Sequence, residues 1–331
     1  MNMAVEARTD TLRTGEFTYL APSVESSLHG NGKVFMRRDS DGNDSPWEGT
    51  DLETRRMAVR DARCLTGAQR HTLDANGFEL VERPMEQPAI DFFNHDQIVR
   101  RYYPHCADVV RQETGARLVA AFDHNIRSVS GNRGGRRIEG GQQVQPPIHM
   151  VHGDYTLTSG PRRLRDLAKA PTGNDTYRTA LAQGESLLDG ADVARALEEG
   201  RFALINLWRN IAPEPVATEP LGLCDAATVH PDDLVVFEVY YSDRTGENYL
   251  AKHADNHRWY CYPALTRDEA LLIKQWDSAG GLARSQGAHT DSERPDAPCT
   301  FSFHSAFDDP TTKPDAPDRW SIEVRCAALY G

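Results

Sequence analysis

The stretch Phe202–Trp208, FALINLW, opens a run of short β-compatible segments that decides the fold class. After it come Leu234–Tyr241, Tyr249–Ala251, Trp259–Tyr262, Leu271–Ile273 and Ile322–Leu329, with turn residues between them. Short β-branched and aromatic blocks punctuated in this way describe many short strands, not the strand–helix alternation of a parallel sheet. They predict an α+β protein whose core is a barrel or a double-sheet jelly roll.

Upstream the periodicity changes. Ile98, Val99, Tyr102, Val109 and Val110 have helical spacing within Asp96–Thr114, and Gly115 marks the stop. Thr176–Gly200 also reads as helix. Both helices are expected on the outside of the β core. Met57–Arg83 reads as strand, turn, strand about Asn76-Gly77, and Leu118–Phe122 as a buried strand. Residues 1–14 are polar and expected to be flexible, and 23–50 either wrap the surface or stay mobile. Ser130–Gly141, SGNRGGRRIEGG, is basic and glycine-rich. It is either a surface loop or a lid that closes over an acidic substrate.

Composition removes whole classes of function. The 331 residues carry 37 Lys and Arg against 49 Asp and Glu, a formal charge of −12. Polyanion-binding proteins carry the opposite balance, so neither nucleic acid nor an acidic membrane is an expected partner. Hydrophobic residues at 39% suffice for a core, and no run approaches the roughly 20 apolar residues of a membrane span. The start, MNMAVEARTDTLRTGEF, lacks the apolar segment of a secretory signal. The six cysteines form no C-x-x-C pair, which predicts reduced thiols in a cytoplasmic protein and no structural zinc. Whether the chain forms homo-oligomers or works with a partner protein stays open.

The chain contains no G-x-x-x-x-G-K-[ST], G-x-S-x-G or H-E-x-x-H, and no G-x-G-x-x-G follows a strand. It does contain H-x-D, four times: His152/Asp154, His230/Asp232, His253/Asp255 and His289/Asp291. On a strand, residues i and i+2 share a side, so one segment can present an imidazole and a carboxylate to one ion. A second His completes a two-His, one-carboxylate face that leaves about three positions open on Fe(II). A 2-oxo acid fills two of them and dioxygen the third.

Context ranks the four pairs. His230 precedes a proline, and His289 lies in a polar loop. His253 ends a strand, whereas His152 sits inside the short β-compatible segment IHMVHGDYT. Near the C-terminus, Phe301–His304 alternates as a strand, and Arg319 and Ser321 then share one face of the last strand. A planar guanidinium plus a hydroxyl suits the distal carboxylate of a 2-oxo acid. Taken singly, His304 could be a core histidine and Arg319 a surface ion pair with Asp308 or Asp309. The order H-x-D, distal His, R-x-S favours a site.

Several stretches give the chain a family likeness. They are TLDANGF (72–78), FDHNIR (122–127), VHGD (151–154), NLWR (206–209), LCD (223–225), HRWY (257–260), WDS (276–278), HSAF (304–307) and RWSIEVR (319–325). Through them the chain resembles the asaB-type hydroxylase/desaturase family, which includes a gibberellin desaturase and the cephamycin 7α-methoxylase component. The resemblance covers roughly residues 15–330. It implies a single non-haem Fe(II)/2-oxoglutarate-dependent oxygenase domain on a double-stranded β-helix. It also implies His152, Asp154 and His304 as iron ligands, and Arg319 and Ser321 at the 2-oxoglutarate carboxylate. Asn210, Phe303 and Gly153 depart from the family pattern near the expected pocket.

Further candidates come from strand position. Asn206 shares a face with Trp208 and could meet the cosubstrate. Arg127 and Arg209 could bind an acidic substrate or the cosubstrate, or else form structural ion pairs. His124 and His149 read as structural, and Trp259 and Tyr260 as core or rim. The expected activity is C–H oxidation (hydroxylation, desaturation or oxidative cyclisation) of a small natural-product or amino-acid-like molecule. The competing readings are a non-redox metal isomerase or hydrolase, and a subunit that works only with a partner.

Overall fold

The computed structural model describes residues 12–30, 34–37, 45–85, 90–241 and 245–331. Among these residues fourteen strands form two sheets. The larger runs, in spatial order, β1 (Leu12–Leu20), β3 (Leu52–Asp61), β11 (Trp259–Cys261), β8 (Leu221–Cys224), β13 (His304–Ala306), β6 (His152–Gly153), β10 (Thr245–Ala251), β9 (Leu234–Tyr240) and β2 (Val34–Arg37). The smaller runs β4 (Phe78–Glu82), β12 (Glu269–Asp277), β7 (Phe202–Asn210), β14 (Ser321–Leu329) and β5 (Leu118–Arg127). Pairing is antiparallel throughout except at β11/β3 and β2/β9.

The smaller sheet shows why the strands sort as they do. Along β14, Ile322 and Val324 alternate with Ser321, Glu323 and Arg325. The apolar set joins the main core together with Cys106, Val109 and Val110 of the helix Tyr103–Thr114. That helix therefore covers the outer face of β5, β14 and β7. The polar set faces the larger sheet. Period-two alternation thus gives this sheet one greasy face for the helix and one polar face for a site.

Three expectations from the sequence need adjustment. The helix expected over Asp96–Thr114 is present from His95, but it opens into a π turn at Ile98–Tyr102. Pro104 follows one residue later, and its missing N–H removes one i→i−4 bond there. Thr176–Gly200 is not one helix. A 3₁₀ turn covers Thr176–Ala180, Gly184 adopts φ +84°, and a helix restarts at Gly190 with Asp189 capping Ala191 and Asp192. The strands flanking Asn76-Gly77 exist but enter different sheets, β3 and β4. Gly77 sits with φ +86° where a Cβ would lie 2.7 Å from Ser302, and its carbonyl accepts from the Lys274 N–H, so the turn is pinned to the strand end beside it and not folded as a hairpin.

Of the polar N-terminus, residues 1–11 lie outside the described residues, whereas Leu12–Thr14 already belong to β1. Within 23–50, residues 31–33 and 38–44 lie outside, and Val34–Arg37 forms the edge strand β2. The three departures from the family pattern each have a local partner. A Cβ on Gly153 would meet the Phe301 ring at 3.1 Å, so Phe301 fills the space that a larger residue would take. Phe303 is fully buried, and Asn210 donates to the carbonyls of Glu214 and Leu265. All six cysteines are free and five are buried.

Candidate active site

His152 on β6 and His304 on β13 are direct register partners. Opposite residues on antiparallel strands point to one face with Cβ atoms about 5 Å apart, and the two imidazole centroids lie 4.2 Å apart. His152 Nδ1 donates to the Met150 carbonyl at 2.7 Å, which leaves its Nε2 lone pair free toward Asp154 Oδ1 at 3.8 Å. Ligand atoms of His152, Asp154 and His304 all fall within 4.8 Å of one another. Burial pushes both histidines down to about 4, helped at His152 by His304 and at His304 by Arg127 and Arg325, and opposed at both by Asp154. They are therefore neutral at physiological pH, the form a metal requires.

Asp154 is held by the opposite sheet. Asn206 Nδ2 on β7 donates to its Oδ2 at 2.9 Å, and Arg325 Nε on β14 donates to the same oxygen at 3.0 Å. Its backbone N–H donates to Gln275 Oε1 on β12 at 3.0 Å, and Gln275 Nε2 lies 3.4 Å from His304 Nδ1. Oδ2 is thus occupied by two donors while Oδ1 faces the histidines. Arg325 leads the causes that hold the Asp154 carboxyl far below the usual carboxylate range, against the opposing effect of burial.

Arg319 and Ser321 sit at the start of β14, both buried. The Arg319 Nη1 donates to the Glu219 carbonyl, and its guanidinium lies 5.7 Å from the Trp208 ring centroid. Glu219 holds this carbonyl from a left-handed backbone, φ 50°. Arg319 Nε and Ser321 Oγ have no hydrogen-bond partner among the described residues. Among the described residues no carboxylate forms an ion pair with Arg319, and burial pushes it down to about 10. An unsatisfied buried polar atom costs about 1–3 kcal/mol, and one incoming carboxylate would satisfy both. The donor set and these two orphaned atoms fit Fe(II) and a 2-oxo diacid.

The other sequence candidates fall in different places. Arg127 on β5 is the register partner of Ser321 and donates to Gln145 Oε1 and the Pro146 carbonyl. Asn206 is at the site, but its amide donates to Asp154, and a cosubstrate without N–H or O–H groups offers nothing to its free Oδ1. Arg209 is not at the site. It lies three residues from Asn206, hence on the outer face of β7, where it donates to Tyr102 Oη and the Arg267 carbonyl. Of the remaining H-x-D pairs, Asp255 is fully exposed, His230 caps a 3₁₀ turn, and Asp291 accepts from the Thr300 and Leu282 backbones. Among the described residues one further group, His149, Glu219 and Asp308, has clustered ligand atoms; His149 and Glu219 are half-buried and Asp308 is exposed.

Sequence reasoning missed Arg325. It reaches Asp154, Asp123 and Glu323 at 3.0, 2.9 and 3.4 Å. The signal was available, because extending the period-two face of Arg319 and Ser321 gives Glu323 and Arg325. Asp154 and Arg325 also form the floor of a cavity of about 810 Å³. Gly140 and Gly141, at the end of the basic loop, contribute to its wall.

A family model described as an oxidoreductase/YMDC permease-like domain matches residues 17–329. The chain belongs to this family. An uncharacterised protein from the dcmA 3′ region of Methylophilus leisingeri is 43% identical over 206 residues, covering 62% of this chain and 94% of that one. The α-ketoglutarate-dependent dioxygenase phiK of a fungal species (strain ATCC 74256) is 26% identical over 315 residues, 94% of each chain. The solved structure of the iron and α-ketoglutarate-dependent endoperoxidase NvfI, whose sequence relative is from Aspergillus novofumigatus, superposes with a TM-score of 0.69 at 21% identity. That match covers 97% of this chain and 99% of NvfI. Other relatives are named hydroxylase/desaturase, so the family is the asaB-type Fe(II)/2-oxoglutarate-dependent oxygenase family. These names favour an oxygenase over an isomerase, a hydrolase or a non-catalytic subunit. Despite the wording of the family description, no described helix is long and apolar enough to cross a membrane.

Proposed function

We propose that this protein is an Fe(II)/2-oxoglutarate-dependent oxygenase whose iron is held by His152, Asp154 and His304. The observation that carries the assignment is the register pairing of His304 with His152, two residues before a carboxylate turned toward them. With 2-oxoglutarate and dioxygen, the bound iron supplies the oxidising power for one substrate C–H bond. The chain's own residues do the positioning. Arg319 and Ser321 hold the distal carboxylate of 2-oxoglutarate. Asn206 and Arg325 fix Asp154 so that Oδ1 faces the metal. Residues 15–330 act as one oxygenase domain, and the two sheets make up its double-stranded β-helix. The substrate is a small molecule, and the outcome is hydroxylation, desaturation or ring formation. Nucleic acid and membranes have no part in this reading, and the free thiols support a cytoplasmic location.

Anaerobic titration with Fe(II) and then 2-oxoglutarate tests this reading through the weak visible metal-to-ligand band. The wild type is expected to develop the band. Arg319→Ala should require roughly 10- to 100-fold more 2-oxoglutarate, because a hydrogen bond to a charged group contributes about 1.5–3 kcal/mol. No band in folded, iron-loaded wild type would refute the proposal. The histidine shifts add a pH expectation. Because burial holds both imidazoles near 4, protons do not compete for them until well below the ordinary histidine value of about 6.5. Fe(II) uptake, read by equilibrium dialysis, should therefore stay nearly constant from about pH 8 to about pH 5. A loss of metal centred near pH 6.5 would contradict this.

A further inference from the structure

We infer that the cavity above Asp154 receives a hydrophilic small molecule bearing a carboxylate, and that Arg127 is the group that meets this acid. The inference rests on the oxygenase reading for where the reacting bond lies, but the binding site itself does not need the metal.

The cavity wall is poor in apolar groups. Val239 is its one aliphatic side chain among the described residues, beside the rings of Phe122, Tyr155 and Tyr241. The side-chain amides of Asn125, Asn174 and Asn248 line it and make no hydrogen bond among the described residues. A purely apolar occupant would strip water from these amides and give nothing back, which is costly. A molecule with several hydroxyl or amide groups would replace that water.

Ion pairing then selects the sign. Every carboxylate lining the cavity already has a cation. Asp123 and Asp154 pair with Arg325, Asp175 with Arg163 at 2.9 Å, Glu247 with Arg162 at 3.4 Å, and Asp166 with Lys169 at 2.8 Å. Two guanidiniums remain. Arg178 is exposed at the rim and makes no ion pair among the described residues. Arg127 lies deeper, and its partners are two neutral oxygens. The arginines and carboxylates of the lining balance overall, so it is a guanidinium left without a carboxylate, and not a net positive field, that offers an incoming acid its partner.

Arg127 lies beside the cosubstrate slot but faces a different space. Arg319 and Ser321 do not line this cavity, whereas Arg127, across the strand from Ser321, does. Arg319 and Arg127, neither ion-paired among the described residues, therefore serve two acids, Arg319 that of 2-oxoglutarate and Arg127 that of the substrate.

The test is isothermal titration of the full chain, metal-free and as the anaerobic Fe(II)/2-oxoglutarate complex. The probes are gluconate, N-acetylglutamine, the neutral gluconamide and the apolar acid decanoate. Gluconate or N-acetylglutamine should bind, with gluconamide at least about tenfold weaker and decanoate silent. Arg127→Gln should erase the preference for acid over amide while leaving the Kd for 2-oxoglutarate within about twofold. Asn125→Leu, on the same strand face, gives a second variant if Arg127→Gln does not fold. It should weaken both hydrophilic acids and spare 2-oxoglutarate. Tightest binding by decanoate, no binding by either hydrophilic acid, or an Arg127→Gln defect in 2-oxoglutarate like that of Arg319→Ala would each overturn the inference. If the visible band is absent but the acids still bind the metal-free protein through Arg127, the oxygenase reading fails and this site stands.

Discussion

His304→Ala should abolish turnover and iron binding while leaving the fold in place. The buried imidazole is one of three groups whose ligand atoms converge, and it reaches them from the strand opposite His152. Changing a residue that only supports a metal ligand typically costs 10- to 100-fold in affinity. Removing the ligand itself should cost more than about 100-fold, and turnover should fall by at least about 1000-fold, or roughly 4 kcal/mol of barrier. Stability should change far less. The imidazole is neutral in the metal-free protein, and among the described residues its hydrogen-bond neighbours are Gln275 Nε2, at the long distance of 3.4 Å, and the Ser302 backbone. The loss is therefore a small cavity and two contacts, about 1–2 kcal/mol. Circular dichroism, urea unfolding and Fe(II) titration separate the two effects. A variant that still takes up Fe(II) tightly and forms the 2-oxoglutarate band would remove His304 from the metal.

This residue also marks how far the sequence reaches. Spacing alone makes His152 and Asp154 neighbours, because a strand repeats every two residues. It cannot say which distant strand lies alongside. The pairing of β13 with β6 joins residues nearly half the chain apart and is settled by tertiary packing, so His304 could be named only from its order relative to R-x-S and from the family resemblance. Arg209 shows the same logic misapplied. Its position after an apolar run suggested a pocket, yet an odd offset from Asn206 turns it to the helix-covered face, where Tyr102 and the Arg267 carbonyl take its donors. The sheets themselves were legible from the short strands, whereas the break within Thr176–Gly200 was not. Gly184 and the Asp189 cap outweigh the helical propensity there. Arg325 lay on a face whose first two members were already recognised, and one more period would have reached it.

Arg325 carries the second large effect. Its guanidinium is shared by Asp154, Asp123 and Glu323. Arg325→Met leaves three carboxylates around one site with no cation between them. Breaking a buried ion pair from one side costs about 3–5 kcal/mol, so the variant should be substantially less stable at neutral pH. The pH dependence has a definite sign. Asp154 is held below its ordinary value, with Arg325 the largest favourable cause, so its contribution is present above about pH 4 and is lost as the pH falls through its folded value. Glu323 is raised by burial and by Asp154, so without Arg325 it can shed part of the strain by taking up a proton. The gap in unfolding free energy between wild type and Arg325→Met should therefore narrow from pH 7.5 toward pH 4.5. Iron affinity should fall about 10- to 100-fold, since Asp154 Oδ2 keeps only the Asn206 donor and the carboxylate can rotate. Arg325→Lys should recover part of the stability but less of the iron binding, because one ammonium cannot span all three carboxylates in the guanidinium's fixed fork. A stability gap independent of pH, or full iron binding in Arg325→Met, would show that Asp154 is oriented by Asn206 and Gln275 alone.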